Sequence, residues 1–218
     1  MKKNLIVSHY DENYFSKYQK EIGEFGGIAN LFKFNKHINN DDAVLDFGCG
    51  GGFLLKQLNC KVKMGVEVND VARDYCKNIN KINCFESIDE VDDNSLDVII
   101  SNHCLEHTLS PIDYIQKMYS KLKINGKIIL VVPLDSYNYK WRPKDVNNHL
   151  YSFSPMNLGN LLQGAGFKQI NTDLVLHKWP PFYKAIHAAL GETLFHVICR
   201  FYGIINRRWV QVKGFAIK

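Results

Sequence analysis

Val44-Leu-Asp46-Phe-Gly48-Cys49-Gly50-Gly-Gly52 reads as a buried strand that runs directly into a glycine-dense loop. Glycines in such a loop let the backbone turn sharply and approach a ligand that a β-carbon would exclude. A short helix is predicted over Phe53 to Leu58, and its first free N–H groups face the same place. The next predicted strand, Val62 to Val68, carries Glu67 near its end, 21 residues after Asp46. A carboxylate there can accept hydrogen bonds from both hydroxyls of a ribose. The dinucleotide fingerprint would need Gly or Ala at the position of Phe53, which argues against a nicotinamide oxidoreductase. Asp46 beside the loop would repel a pyrophosphate and would suit a cationic, phosphate-free ligand.

Outward from this loop the chain alternates short apolar strands with amphipathic helices. Helix is predicted over Val71 to Ile79 and over Pro111 to Leu122. Strands are predicted over Ile82 to Phe85, Leu96 to Ser101 and Lys127 to Val132. Ser154-Pro155 begins another helix, with Ser as N-cap and Pro at the first position, ending near Gly164-Ala-Gly166. Phe167 to Leu176 and Trp209 to Ile217 complete seven strands. The pattern predicts an α/β domain with a doubly wound, mostly parallel seven-stranded sheet covered on both faces. Residues 1–40 form an N-terminal helical cap, 41–178 the cofactor-binding core, 179–207 a helical insertion or lid, and 208–218 the final strand. Within the cap, Tyr14, Tyr18, Ile22, Phe25, Ile28, Leu31 and Phe32 fall near helical spacing, and Gly26-Gly27 is expected to break or bend the helix. The insertion carries a stripe of Tyr183, Ile186, Leu190, Leu194, Val197, Phe201 and Ile205. The simpler reading packs that stripe on the domain and leaves its Lys/Arg side solvated.

Asp46-x-Gly48-Cys-Gly50-x-Gly52 after a strand resembles motif I of the class I S-adenosylmethionine-dependent methyltransferases. Ser95 to His107 and Leu122 to Pro133 resemble that family's fourth-strand and fifth-strand segments. His149 to Pro155, with Leu161 to Phe167, is similar to a stretch of its small-molecule branch, which includes quinone-biosynthesis enzymes. The resemblance covers roughly residues 40–175 and implies a Rossmann-like methyltransferase fold. It implies S-adenosylmethionine as cofactor, with S-adenosylhomocysteine as product. Carried over, Asp46, Gly48, Cys49 and Gly50 line the methionine part, Glu67 holds the ribose and Val68 packs on the adenine. Ser87 and Ile88 stand where the family contacts the adenine amino group, usually through an acid that this chain lacks. Asn102 and His103 face the methyl group.

Methyl transfer from a sulfonium is an in-line displacement, so the protein mainly aligns the reactants and excludes water. If the acceptor must lose a proton, a histidine can take it near neutral pH. His103 and His149 are the catalytic candidates. His107 and Glu106 read rather as loop-fixing and orienting groups, and Cys104 as packing. Trp141, Arg142, His149 and Tyr151 are candidate acceptor contacts. No metal is expected, since Asp135, Asp145 and Asn147 lack a catechol-type spacing. The expected function is methyl transfer to oxygen, nitrogen or carbon of a small molecule, a saccharide or lipid-linked acceptor among them. The alternative is a catalytically idle cofactor-binding partner or scaffold. Ser101-Asn-His-Cys104 departs from the Pro-Pro motif of nucleobase and glutamine methylation, and no nucleic-acid partner is expected.

Composition sets outer bounds. At 46% apolar and 22% charged residues, a chain of 218 can bury a core. Neither a signal peptide nor a transmembrane helix is expected, and the six cysteines read as reduced thiols of a cytoplasmic protein. The net charge of +5 is uneven: residues 177–218 hold seven basic residues against Glu192, a net of +6, and the remainder holds −1. This basic segment suggests an anionic acceptor, or peripheral membrane contact through residues 180–208.

Overall fold

Seven strands form one sheet in a computed structural model of the chain, which describes residues 15, 19–136, 138–143, 145–207 and 210–218. They are β1 (Ala43–Phe47), β2 (Val62–Val66), β3 (Asn83–Phe85), β4 (Leu96–Asn102), β5 (Leu122–Leu134), β6 (Lys168–Val175) and β7 (Val210–Ile217). Their order is β3-β2-β1-β4-β5-β7-β6, parallel as far as β5, with β7 antiparallel to both β5 and β6. The described helices are α1 (Lys20–Ala29), α2 (Phe53–Gln57), α3 (Asp70–Asn78), α4 (Pro111–Lys121), α5 (Pro155–Gly164) and α6 (Tyr183–Ile205). This is the doubly wound, mostly parallel sheet that the alternation predicts.

Strand periodicity explains the two cores. Alternate side chains of a strand point to opposite faces, so a strand covered on both sides is apolar throughout. Leu45, Ile99, Ile128 and Leu130 pack on one face with Ile115 and Met118 of α4 and Leu158 and Leu162 of α5. Their neighbours Val44, Val98, Ile100, Ile129 and Val131 pack on the other, with Leu54 and Leu55 of α2 and Cys76 of α3. From β1 the chain winds outward through β2 and β3, then returns to β4 on the other side. The reversal opens a crevice between the C-terminal ends of β1 and β4, where ligands bind in such sheets.

Local chemistry sets several boundaries. Ser154 caps α5 by accepting from Asn157 N–H, and Asn157 returns the bond to Ser154 N–H. Asn69 caps α3, accepting from Val71 and Ala72 N–H. β2 ends at Val66 rather than Val68, leaving Glu67 and Val68 in the loop beyond it. Leu122 already pairs with Leu96, so β5 starts before Lys127, and an irregularity follows where Asn125 adopts a left-handed conformation.

Two expectations are corrected. Gly26-Gly27 does not break the N-terminal helix: α1 runs unbroken from Lys20 to Ala29, followed by two 3₁₀ turns at Leu31–Lys33 and Asn35–His37. The glycines instead form its packing face. A β-carbon on Gly27 would sit 2.5 Å from the Phe53 carbonyl oxygen, and one on Gly23 would meet the Phe53 ring. Ile22 and Ile28, of the predicted apolar stripe, are exposed. The second correction concerns α6, where Leu190, Leu194, Val197, Phe201 and Ile205 face solvent. Phe195, Cys199 and Gly203 are the buried residues, because α6 lies so close that a β-carbon on Gly203 would be 2.8 Å from the Leu176 carbonyl carbon. Gly191 (φ 72°, ψ 174°) kinks α6, so no single stripe runs its length. Tyr14, Tyr18, Arg208 and Trp209 lie outside the described residues.

Candidate functional site

The crevice deepens into a cavity of about 610 Å³. Its floor is the β1–α2 loop, in which Gly48, Gly50 and Gly52 all have positive φ. Gly48 also needs its missing side chain, since a β-carbon there would lie 2.3 Å from Cys104 Sγ. Asp46, Gly48, Cys49, Gly50, Asn102 and His103 line the cavity, so the structure brings together six of the residues expected at the cofactor.

Asp46 is buried, and its Oδ1 has no hydrogen-bond partner. Burial, followed by repulsion from Glu67, pushes its carboxyl up to about 8. Glu67 is also buried; its Oε2 accepts from Gly50 N–H and its Oε1 from Asn69 N–H, both at 2.8 Å. Burial raises its carboxyl, while those two N–H groups oppose the shift. Glu67 therefore ties the glycine loop to the end of β2. Val68 is exposed, Ser87 caps a 3₁₀ turn in a reciprocal bond with Glu90, and the Ile88 side chain is wholly inside the core. None of these four residues belongs to the cavity lining.

At the tip of β4, His103 adopts φ 56°, an uncommon conformation for a residue with a β-carbon, held by a 2.8 Å bond from its N–H to Val131 O. Glu106 is wholly buried behind it. His103 Nδ1 lies 3.3 Å and His107 Nε2 3.7 Å from Glu106 Oε1, ion-pair contacts that leave both carboxylate oxygens without a hydrogen bond. Burial works to raise the Glu106 carboxyl, yet the two imidazoles hold it below its ordinary value. His149 packs edge-on to His107 and pairs through Nδ1 with Asp135 at 3.1 Å, away from the cavity lining.

The candidate acceptor residues Trp141, Arg142 and Tyr151 do not line the cavity. Trp141 is 87% exposed, Arg142 stacks over Tyr139, and the Tyr151 hydroxyl donates to Leu109 O. Val146 and Asn147 of the same loop line it instead. The sequence reading also missed Lys33, a buried lysine whose Nζ donates to Gln211 Oε1 at 2.6 Å and Asn102 Oδ1 at 3.3 Å. Burial, with repulsion from Lys213, lowers its ammonium to about 7. Lys33 was visible as a lone cation in Leu31-Phe-Lys-Phe34, but its partners are distant in sequence. His177 and Trp179 close the far wall.

Among the described residues, two groups bring three possible metal-ligand atoms within 4.8 Å of one another: Glu106, His107 and His149, and Cys49, Cys76 and Cys84. Neither matches Asp135, Asp145 and Asn147, the set weighed from sequence. Asp135 faces His149, and Asp145 accepts from the Tyr139 hydroxyl and Asn148 N–H.

A family described as a methyltransferase domain matches residues 10–172. No curated protein matches the sequence. Solved structures share the fold. A SAM-dependent methyltransferase from Archaeoglobus fulgidus is 21% identical, with a TM-score of 0.63 over 95% of this chain and 97% of its own. A possible histamine N-methyltransferase from Thermotoga maritima is 15% identical, with a TM-score of 0.67 over 97% of this chain and 98% of its own. A Haloferax volcanii putative methyltransferase, solved in complex with the Trm112 activator, is 12% identical, with a TM-score of 0.71 over 100% of this chain and 99% of its own.

Proposed function

Because this chain belongs to the methyltransferase domain family, an enzyme family, we propose that it moves a methyl group from S-adenosylmethionine to a small molecule held in the 610 Å³ cavity. The carrying observation is Asp46: a buried carboxylate with an unpartnered oxygen, in a cavity floored by glycines that leave room for a ligand. A cationic cofactor suits that carboxylate, and the structurally similar Archaeoglobus fulgidus protein is a SAM-dependent methyltransferase. The cofactor supplies the methyl carbon and a thioether leaving group.

The chain's own residues hold, orient and dehydrate. Asp46 would hold the cationic end of the cofactor, with the Gly48 and Gly50 backbone lining the same part of the cavity. Glu67, already fixed by two N–H donors, keeps lone pairs for the ribose hydroxyls. Alignment of donor and acceptor by such walls can supply roughly 7–11 kcal/mol of the barrier reduction. His103 is the proton acceptor where the acceptor must lose a proton, and Glu106 orients its ring and balances the charge it gains. Lys33, its ammonium lowered to about 7 by burial and Lys213, positions an anionic acceptor beside Asn102. His149 acts at a distance by holding the loop through Asp135.

Titration calorimetry with S-adenosylmethionine and its demethylated product, paired with a labelled-methyl assay on a whole-cell lysate that is then fractionated, tests this reading. We expect both ligands to bind, Asp46→Asn to lose about tenfold or more in affinity, and label to enter the small-molecule fraction. Tight binding without transfer would make the protein an idle cofactor binder. Label confined to protein or nucleic acid would refute the acceptor class.

A further inference from the structure

We propose that the outward face of α6 is a docking surface for an anionic lipid bilayer. Beyond the kink at Gly191, α6 turns by about 100° per residue. Leu194, Val197, Phe201, Ile204 and Ile205 then fall within about one third of its circumference. All five are exposed, Phe201 at 64% and Ile205 at 82%. Before the kink, Leu190 and Phe182 are exposed as well, the latter at 84%. The opposite face carries Phe195, Cys199 and Gly203 into the domain. This helix therefore has two apolar stripes and one partner for them among the described residues.

Charge selects the occupant. Exposed Arg200 and Arg207 accompany the stripe, with Glu192 as the one acid of α6, while Lys184 pairs with Glu21 and Lys213 and Lys218 bond into the domain. An apolar face bordered by arginines is a pattern that lies in the interface of an anionic bilayer. A second copy seated on the same face would bring its own Arg200 and Arg207 towards these two, like charge against like. Spanning the bilayer is also disfavoured, although α6 has 23 residues and is apolar enough by composition, with 17% of the apolar window buried. Its two ends lead into β6 and β7, which pair with each other along the sheet edge, so the helix lies flat against the domain. Trp179 and Lys178, just before α6, line the cavity, so a docked bilayer would adjoin its mouth. An amphiphilic acceptor then enters from the membrane, a consequence that rests on the methyl-transfer reading, whereas the docking does not.

Flotation of the full chain with vesicles tests the docking. We expect binding to vesicles of equal parts phosphatidylglycerol and phosphatidylcholine, with little binding to phosphatidylcholine alone. Leu194→Ser/Phe201→Ser/Ile204→Ser should lower bound protein by about tenfold or more, and Arg200→Gln/Arg207→Gln should weaken binding and flatten its salt dependence. Calorimetry with S-adenosylmethionine on the same variants, unchanged from the parent, shows that the domain and its cofactor site are intact. The proposal is overturned if the parent chain fails to float, or if the serine variant floats as well as the parent. It is equally overturned if light scattering finds a dimer that the serine variant dissolves.

Discussion

Asp46 combines two features that rarely coexist without a ligand, full burial and an unpartnered carboxylate oxygen. With its carboxyl pushed up to about 8, it is mostly protonated at pH 7 in the free chain. A cationic ligand favours the ionised form, so binding expels a proton and affinity rises as pH increases from about 6 to 8. Calorimetry in buffers of different ionisation enthalpy should detect that proton, and Asp46→Asn should abolish both the release and the pH slope. Asp46 was legible in the sequence because its role depends on a strand end and adjacent glycines, all local features. Lys33 was not, because burial alone does not identify it. Only burial in the folded domain, with Lys213 brought close from 180 residues away, turns an ordinary lysine into a group that titrates near neutrality, while Asn102 and Gln211 accept its hydrogen bonds.

Glycine has opposite meanings in different elements. Within α1 it was expected to interrupt, since it weakens isolated helices by about 1 kcal/mol relative to Ala. Tertiary contact overrides that cost, because Gly23 and Gly27 let α1 press on Phe53 at the start of α2. Gly27→Ala should therefore destabilise the protein by about 1–3 kcal/mol, since the clash is with backbone rather than a movable side chain. Gly164→Ala, whose β-carbon would lie 3.9 Å from Ile112, should be neutral or stabilising by about 0.4–1 kcal/mol. Thermal melts of the two variants separate packing from propensity. The same reasoning explains α6. Its apolar spacing correctly identified a helix but not which stripe faces the domain, because Gly203 and Cys199, small rather than strongly apolar, permit the closest approach.

Across the whole molecule, the N-terminal cap and α6 are joined by aromatic contacts. Phe25 of α1 meets Trp179, Tyr183 and Phe195 with ring centroids 4.8–5.7 Å apart. Both elements also border the cavity, through Gly23, Gly26 and Gly27 on one side and Trp179 on the other. Phe25→Ala should cost about 2–3 kcal/mol and weaken S-adenosylmethionine binding. Hydrogen exchange should show faster opening of residues 20–29 together with 183–199, and β1 and β4 should stay protected. By itself the sequence determined the alternation of strands and helices, the glycine loop and the two carboxylates beside it, since these follow from periodicity and turn chemistry over a few residues. The tertiary structure alone decided which helix faces turn inward, that Val146 and Asn147 rather than Trp141 and Arg142 line the cavity, and that Lys33 joins Asn102 and Gln211. These depend on close approach between segments far apart in the chain, and packing distance leaves no local trace in residue order.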